Sequence, residues 1–490
     1  MRTFTKLALT GALLAPAVLG AKHACKPLPA GLGVRGQLLP GQVQLLTDLT
    51  FYSDGKSETD QQIFTTVEKL IEGAEKFLVL DMFLFNADYD RSSGTHPALS
   101  ARLTDALLAK RAASPQVPIL LITDPINTFY GSKPQPHFDA LRQAGVQVVE
   151  TDLDPLPDSN PFYSAIFRTY LRHLPELPGT LPHPLTPGAG KVSLGSYLRM
   201  LNIKANHRKV AMSEREAVVS SANPHDASAP NSNLGLLVRG PVLKDVLASE
   251  RVVFEMSGGD PGVFDGFTRQ LELGTRHDEA TGVGAHAAPT APSEVATQLI
   301  TEGGIRTQVL ELLAAAGAGD RVLLGMFYLS ERKVLTALTE AAARGARVEV
   351  ILDQNMDAFG RRKTGLPAKP VAAELAAAGV KVRWYETHGE QFHPKYLVVF
   401  TGKNCDVIAG SGNFTRRNIC SYNLETNLRI QTPADSVLAQ EIAGLWQLMW
   451  NNEGALFTSD YEQHALPGGV GGAVQKLVYR LQEATGLGAF

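Results

Sequence analysis
Two stretches of the chain repeat one spacing of reactive residues: HRKVAMS at residues 207–213 and HPKYLVV at 393–399. His207 and Lys209 are two apart, as are His393 and Lys395, so on an extended strand each pair projects from one side of the backbone. A turn is predicted after each strand, over EREA in the first and TGKN in the second. The returning strands lead to Ser221 and Asn223, and to Ser411 and Asn413. Each hairpin thus gathers an imidazole, an ammonium, a hydroxyl and an amide. Two such sets around one spot suit a phosphodiester. The two Lys and the other donors neutralise phosphate oxygens where charge builds in the transition state. One imidazole attacks phosphorus and forms a phosphohistidine. The other protonates the leaving alcohol, then deprotonates the incoming water or alcohol. No acidic cluster accompanies the motifs, so the expected chemistry needs neither a metal nor another cofactor.

One His-x-Lys carries little information. The two here stand 186 residues apart, and what precedes them repeats as well. IFTTVEKLIEGAEKFLVLDMFLFN at 63–86 and IRTQVLELLAAAGAGDRVLLGMFYLS at 305–330 each read as an amphipathic helix, a turn and a buried strand ending in Met-Phe. A second helix and strand follow, ending at Asp124 and at Asp353, then a third pair, HFDALRQAGVQVVE and VAAELAAAGVKVRWYE. Apolar strands alternating with helices predict an α/β fold. It is expected as two pseudo-symmetric halves, 45–256 and 295–455, each a mostly parallel sheet flanked by helices and related by a pseudo-twofold axis. The chain then acts as a monomer that is internally a pseudo-dimer.

The halves differ by an insertion over 151–206 in the first. Within it a helix is expected between Asn160 and Pro175, with Tyr163, Ile166, Phe167, Tyr170, Leu171 and Leu174 on one face and Arg168 and Arg172 elsewhere. Such a helix lies on a membrane surface, caps an apolar pocket, or simply packs on the core. A Gly- and Ala-rich linker is expected over 274–294. At the N-terminus, Arg2 and Lys6 precede an apolar run and then small residues, so 1–24 reads as a signal peptide or an N-terminal anchor, and the protein as exported. With 44% hydrophobic residues, 19% charged residues and a net charge of −3, the chain has a globular balance and no overall basic field for nucleic acid. Cys25, Cys405 and Cys420 are too few for a disulfide framework; the last two pair or remain separate thiols.

The paired His-x-Lys, each followed by Ser and Asn, resembles the phospholipase D superfamily across roughly 45–455. The segments from Asn233 and from Gly410 resemble its phospholipase D and cardiolipin synthase branch. The resemblance implies two α/β halves sharing one active site at their interface, with His207 as nucleophile and His393 as general acid. It also implies that Glu425 orients an imidazole, by analogy that of His207 across the interface; the matching first-half position falls on Gly235, and Asp226 has the wrong spacing to replace it. The superfamily's Asp seven residues after the His is Glu214 in the first motif and Phe400 in the second, with Asp406 as a substitute. A phospholipid substrate and contact with a membrane surface are expected. Nucleic acid, cleaved by an exported endonuclease using the same chemistry, is the alternative.

Overall fold
In a computed structural model, residues 15–91, 94–174, 177, 179–184, 188, 190–281, 295–358 and 361–488 are described. The strands Leu78–Met82 and Ile119–Thr123 are buried at every residue. Such strands must be covered on both faces. One face of their sheet receives the helices Ile63–Gly73, Leu99–Ala113 and Pro136–Gln143, through Ile63, Val67, Leu70, Leu103, Leu107 and Phe138. The second half repeats this with Glu302–Ala315, Arg332–Ala343 and Ala368–Ala377. The inner faces of the two sheets share one apolar core, in which Val219 and Leu236 join Val398 and Val407, together with Val246 and Phe254 of the helix Val242–Met256 and Ile442 and Trp446 of Val437–Asn451.

The first sheet has eight strands in the order 56–61, 42–53, 233–239, 217–220, 209–213, 78–82, 119–123, 147–150. The second has nine, in the order 39–40, 296–301, 426–433, 404–410, 395–401, 321–326, 347–352, 381–385, 458–460. Both expected α/β halves are present, but each sheet is mixed. Only the three strands of each helix–strand repeat run parallel; the His-x-Lys hairpins and the outer strands are antiparallel. Burial made the hairpin strands apolar, and burial does not encode direction. The second sheet also takes the strand Thr458–Asp460, beyond residue 455.

Two straps lock the halves. Gly33 N–H donates to Glu302 Oε2 (2.7 Å) and Val34 N–H to Thr301 Oγ1 (3.0 Å), and Leu39–Pro40 then pairs with the second sheet before the chain enters the first at Gln42. In the other direction, Leu456 and Tyr52 exchange backbone hydrogen bonds of 2.8 and 3.2 Å.

The insertion helix spans Pro161–Thr169 and starts where expected, Asn160 accepting from Tyr163 N–H at 3.2 Å. Its orientation differs from the expectation. Arg168 is buried and forks onto Asp158 at 2.6 and 2.9 Å, while Lys204 Nζ reaches the same carboxylate at 2.7 Å. Burial alone would raise the Asp158 carboxyl, but these cations hold it at about 2. With Arg168 drawn inward, Phe167 is buried and Phe162, Ile166 and Tyr170 are exposed. Of the expected N-terminal segment, 1–14 lie outside the described residues and 15–24 are helical. Of the expected linker, 282–294 lie outside them, and the helix Pro261–Thr281 occupies the earlier part. Cys405 and Cys420 are separate thiols.

Candidate active site
The two hairpins, Lys209–Ser213 with Ala217–Ser220 and Lys395–Thr401 with Asn404–Gly410, carry the reactive residues to the plane between the halves. Each entry to a His-x-Lys strand is tied to the opposite half. His207 N–H donates to Leu424 O (2.9 Å) and His393 N–H to Ser232 O (2.8 Å). Asn423 Oδ1 accepts from Ala205 N–H (3.1 Å) and Asn231 Oδ1 from Gln391 N–H (2.9 Å). Within each half, the Asp that ends the second parallel strand accepts the backbone N–H just before the His: Asp124 from Asn206 at 2.7 Å, Asp353 from Phe392 at 2.8 Å. The ammonium of Lys209 donates to His207 O (2.6 Å) and that of Lys395 to His393 O. Phe83 and Phe327, from the repeated Met-Phe strand ends, lie 4.7 and 4.9 Å from the imidazoles of His207 and His393, with the two ammonium groups 4.7 and 5.3 Å from the ring centres. A Phe at this place fixes both polar groups of a pair by packing and cation–π attraction.

Glu425 crosses the interface. His207 Nδ1 lies 3.0 Å from its Oε2, which also accepts from Ser411 Oγ, while Asn418 Nδ2 donates to Oε1. A carboxylate at Nδ1 holds the proton there and leaves the Nε2 lone pair able to act as a nucleophile. The mirror position is not Gly235. His393 Nδ1 lies 3.2 Å from Asn233 Oδ1, and Ser221 Oγ donates to the same oxygen at 3.1 Å. Asn233 Nδ2 donates to Asn231 O at 3.0 Å, which sets the amide with its oxygen toward the imidazole. The equivalent of Asn423-Leu424-Glu425 is therefore Asn231-Ser232-Asn233, two residues upstream of the expected register. Gly235 instead pairs with Ser220, and Asp226 caps Ser100 N–H (3.0 Å) and its hydroxyl (2.6 Å). One imidazole thus has a carboxylate partner and the other a neutral amide.

The remaining expected positions divide in two. Ser221 and Ser411 hold the orienting groups just named rather than standing free for phosphate. Asn413 Oδ1 accepts from Tyr328 N–H (3.3 Å), whereas Asn223 Oδ1 is buried with no hydrogen-bond partner, which marks it as a group able to bond an occupant of the site. Glu214 and Asp406 do other work: Glu214 caps Glu75 and Lys76 N–H at 3.0 and 3.1 Å, and Asp406 pairs with Arg429 at 2.7 Å.

The electrostatics bind the four reactive groups into one unit. Burial, then Lys209 and Lys395, push the His207 imidazole well below its ordinary range. Burial, then Lys395, Lys209 and His207, do the same to His393. Burial brings Lys209 down to about 7 against the pull of Glu425, and burial with the Lys209 charge pushes Lys395 well below its ordinary range. Burial raises Glu425 to about 7. An anion between the two ammonium groups offsets their mutual repulsion and favours their charged forms.

Sequence reasoning overlooked Asn233, Asn418 and the two Phe. The repeated Met-Phe was a usable signal for the latter. It also overlooked Arg208, the variable residue of the first motif, which is fully buried and bridges Glu250 (3.1 Å) and Glu302 (2.7 Å); Glu302 accepts the N–H of Glu425 in turn (3.1 Å).

Two mixed sheets with paired His-x-Lys hairpins at their junction form the arrangement that the resemblance to the phospholipase D superfamily implied. The family model described as cardiolipin synthase, PLD-like domain, matches residues 309–450, within the second half. Among solved structures, phosphatidylserine synthase of Haemophilus influenzae Rd KW20 is similar over 96% of this chain and 98% of its own, with a TM-score of 0.55 and 12% identity. Nuc, a phospholipase D family member from Salmonella typhimurium, is 22% identical over 33% of this chain and 97% of its own, with a TM-score of 0.27. No curated protein matches the sequence. The resemblance to the phospholipase D superfamily read from the motifs is borne out.

Proposed function
We propose that the protein transfers or hydrolyses the phosphatidyl group of a phospholipid through a phosphohistidine, without a metal. The observation that carries this reading is the cross-half pair of His207 and Glu425 beside a second imidazole and two buried ammonium groups. His207 Nε2 attacks phosphorus; the bond from phosphorus to the head-group oxygen breaks, and His393 Nε2–H gives that oxygen its proton. Water or an alcohol then attacks phosphorus, His393 takes its proton, and the phosphorus–nitrogen bond breaks to return neutral His207. Lys209 and Lys395 offset the charge that builds on the equatorial oxygens. The phospholipid class is supported by the cardiolipin synthase domain match and by the fold shared with a phosphatidylserine synthase.

The test incubates the purified chain with mixed phospholipid micelles in EDTA, with and without glycerol, and with single-stranded DNA in parallel. Phosphatidic acid, or a new phosphatidyl ester when glycerol is present, is expected, and His207→Ala abolishes it. DNA cleavage with intact lipid would assign the site to a nuclease.

A further inference from the structure
The insertion helix and the turn after it leave apolar side chains in water. Phe162 and Ile166, one turn apart on the helix, are 69 and 50% exposed, and Tyr170 and Leu174, which follow its end, are each 47% exposed. A second set belongs to the C-terminal helix Gly469–Thr485, where Val470, Val474, Leu477 and Leu481 share one face and are 81, 51, 59 and 55% exposed. The opposite face of this helix is anchored, Tyr479 and Glu483 bonding Ser330. The two sets meet. Gly486 lies so close to Ser159 O that an added Cβ would stand 2.1 Å from it, and Arg417 bonds Ser159 Oγ together with the carbonyls of Gly486 and Gly488. Phe162 follows Ser159 by three residues, and exposed Leu487 follows Gly486. A third element joins them: Gly20 packs on Ala165 and on Pro161 O, with Val18 exposed beside it.

The geometry points to this three-element face as the surface that seats the protein on an anionic phospholipid bilayer. The charges favour that occupant. Lys22, Arg172, Lys476 and Arg480 are exposed on these elements, 160–174 contains no acid, and the only acid of the C-terminal helix, Glu483, is buried on Ser330. Aliphatic and aromatic rows interleaved with cations are what an acyl–head-group boundary accepts, whereas the core of a protein interface is depleted in Lys. No helix of the described residues is long and apolar enough to cross a membrane.

The inference takes its choice of lipid from the proposed function but is read without turnover. Flotation of the full chain with phosphatidylcholine vesicles, with and without phosphatidylglycerol, measures binding. Binding is expected to rise with phosphatidylglycerol and to fall about tenfold or more in each of two double variants, Phe162→Glu with Ile166→Glu and Leu477→Glu with Leu481→Glu. Both variants are expected to keep the parent's turnover of a short-chain, water-soluble phospholipid. Unchanged flotation in either variant overturns the assignment. So does concentration-dependent self-association of the parent, seen by sedimentation and abolished in the variants, which would make the face a contact between copies. Vesicle binding that the variants lose, in a parent silent on every soluble phospholipid, would uphold the surface and sink the proposed activity instead.

Discussion
At the scale of single residues, the asymmetry between Glu425 and Asn233 has measurable consequences. Glu425→Gln keeps a hydrogen bond to His207 but loses the charge that fixes its tautomer and stabilises its cation. A loss of about 10³-fold or more in kcat is expected, with little change in the amount of folded protein. Asn233→Asp supplies the missing charge to His393. A carboxylate at that distance stabilises the imidazolium, so the alkaline limb of the kcat profile should move up by about 1–3 pH units; an unmoved limb would show that His393 does not titrate in turnover. Lys209 gives a third expectation. Its ammonium, brought to about 7 by burial, is charged below that pH and neutral above it. Inhibition by dimethyl phosphate, an anion of constant charge, should therefore weaken as pH rises through 7. Because two Lys supply the neutralising charge, turnover should persist in excess EDTA, and loss restored by a divalent ion would contradict the mechanism.

At the scale of elements, the repeats, the parallel strands and both hairpins were legible because period and burial are local properties of sequence. The partner of His393 was not. Asn231, Ser232, Asn233 and Leu234 offer several registers to a reader of residue types, and only the ladder with the strand Ala217–Ser220 selects one. The insertion helix failed for a similar reason. It has two apolar stripes, one through Phe162 and Ile166 and another through Tyr163 and Phe167, and the choice between them rests on Arg168 finding Asp158. Arg208 belongs here as well, since it binds the first hairpin to the helices Val242–Met256 and Glu302–Ala315. Arg208→Leu leaves two buried carboxylates without their cation. It should destabilise the fold by about 3–5 kcal/mol in denaturant unfolding.

At the scale of the whole molecule, the two straps and the shared inter-sheet core make independent unfolding of the halves implausible. One calorimetric transition is expected; two resolved transitions would mean that the core between the sheets contributes little. The existence of two halves and one site between them was legible, because a repeated motif with complementary chemistry has few other uses. The straps were not, since Gly33, Val34, Leu39–Pro40 and Leu456 join the opposite half through their backbone groups, which no side-chain pattern of their own announces.

The pairing across the interface also bears on ancestry. If two identical chains once formed this site, a single codon would have set the residue facing both imidazoles, and a change to Asn would have stripped the carboxylate from the nucleophile as well. Only where the two halves are encoded separately, as in this chain, can selection keep Glu at position 425 while Asn occupies 233. On the proposed mechanism, the departure from symmetry fits two halves that specialised after duplication, one supporting the attacking imidazole and the other serving the leaving group.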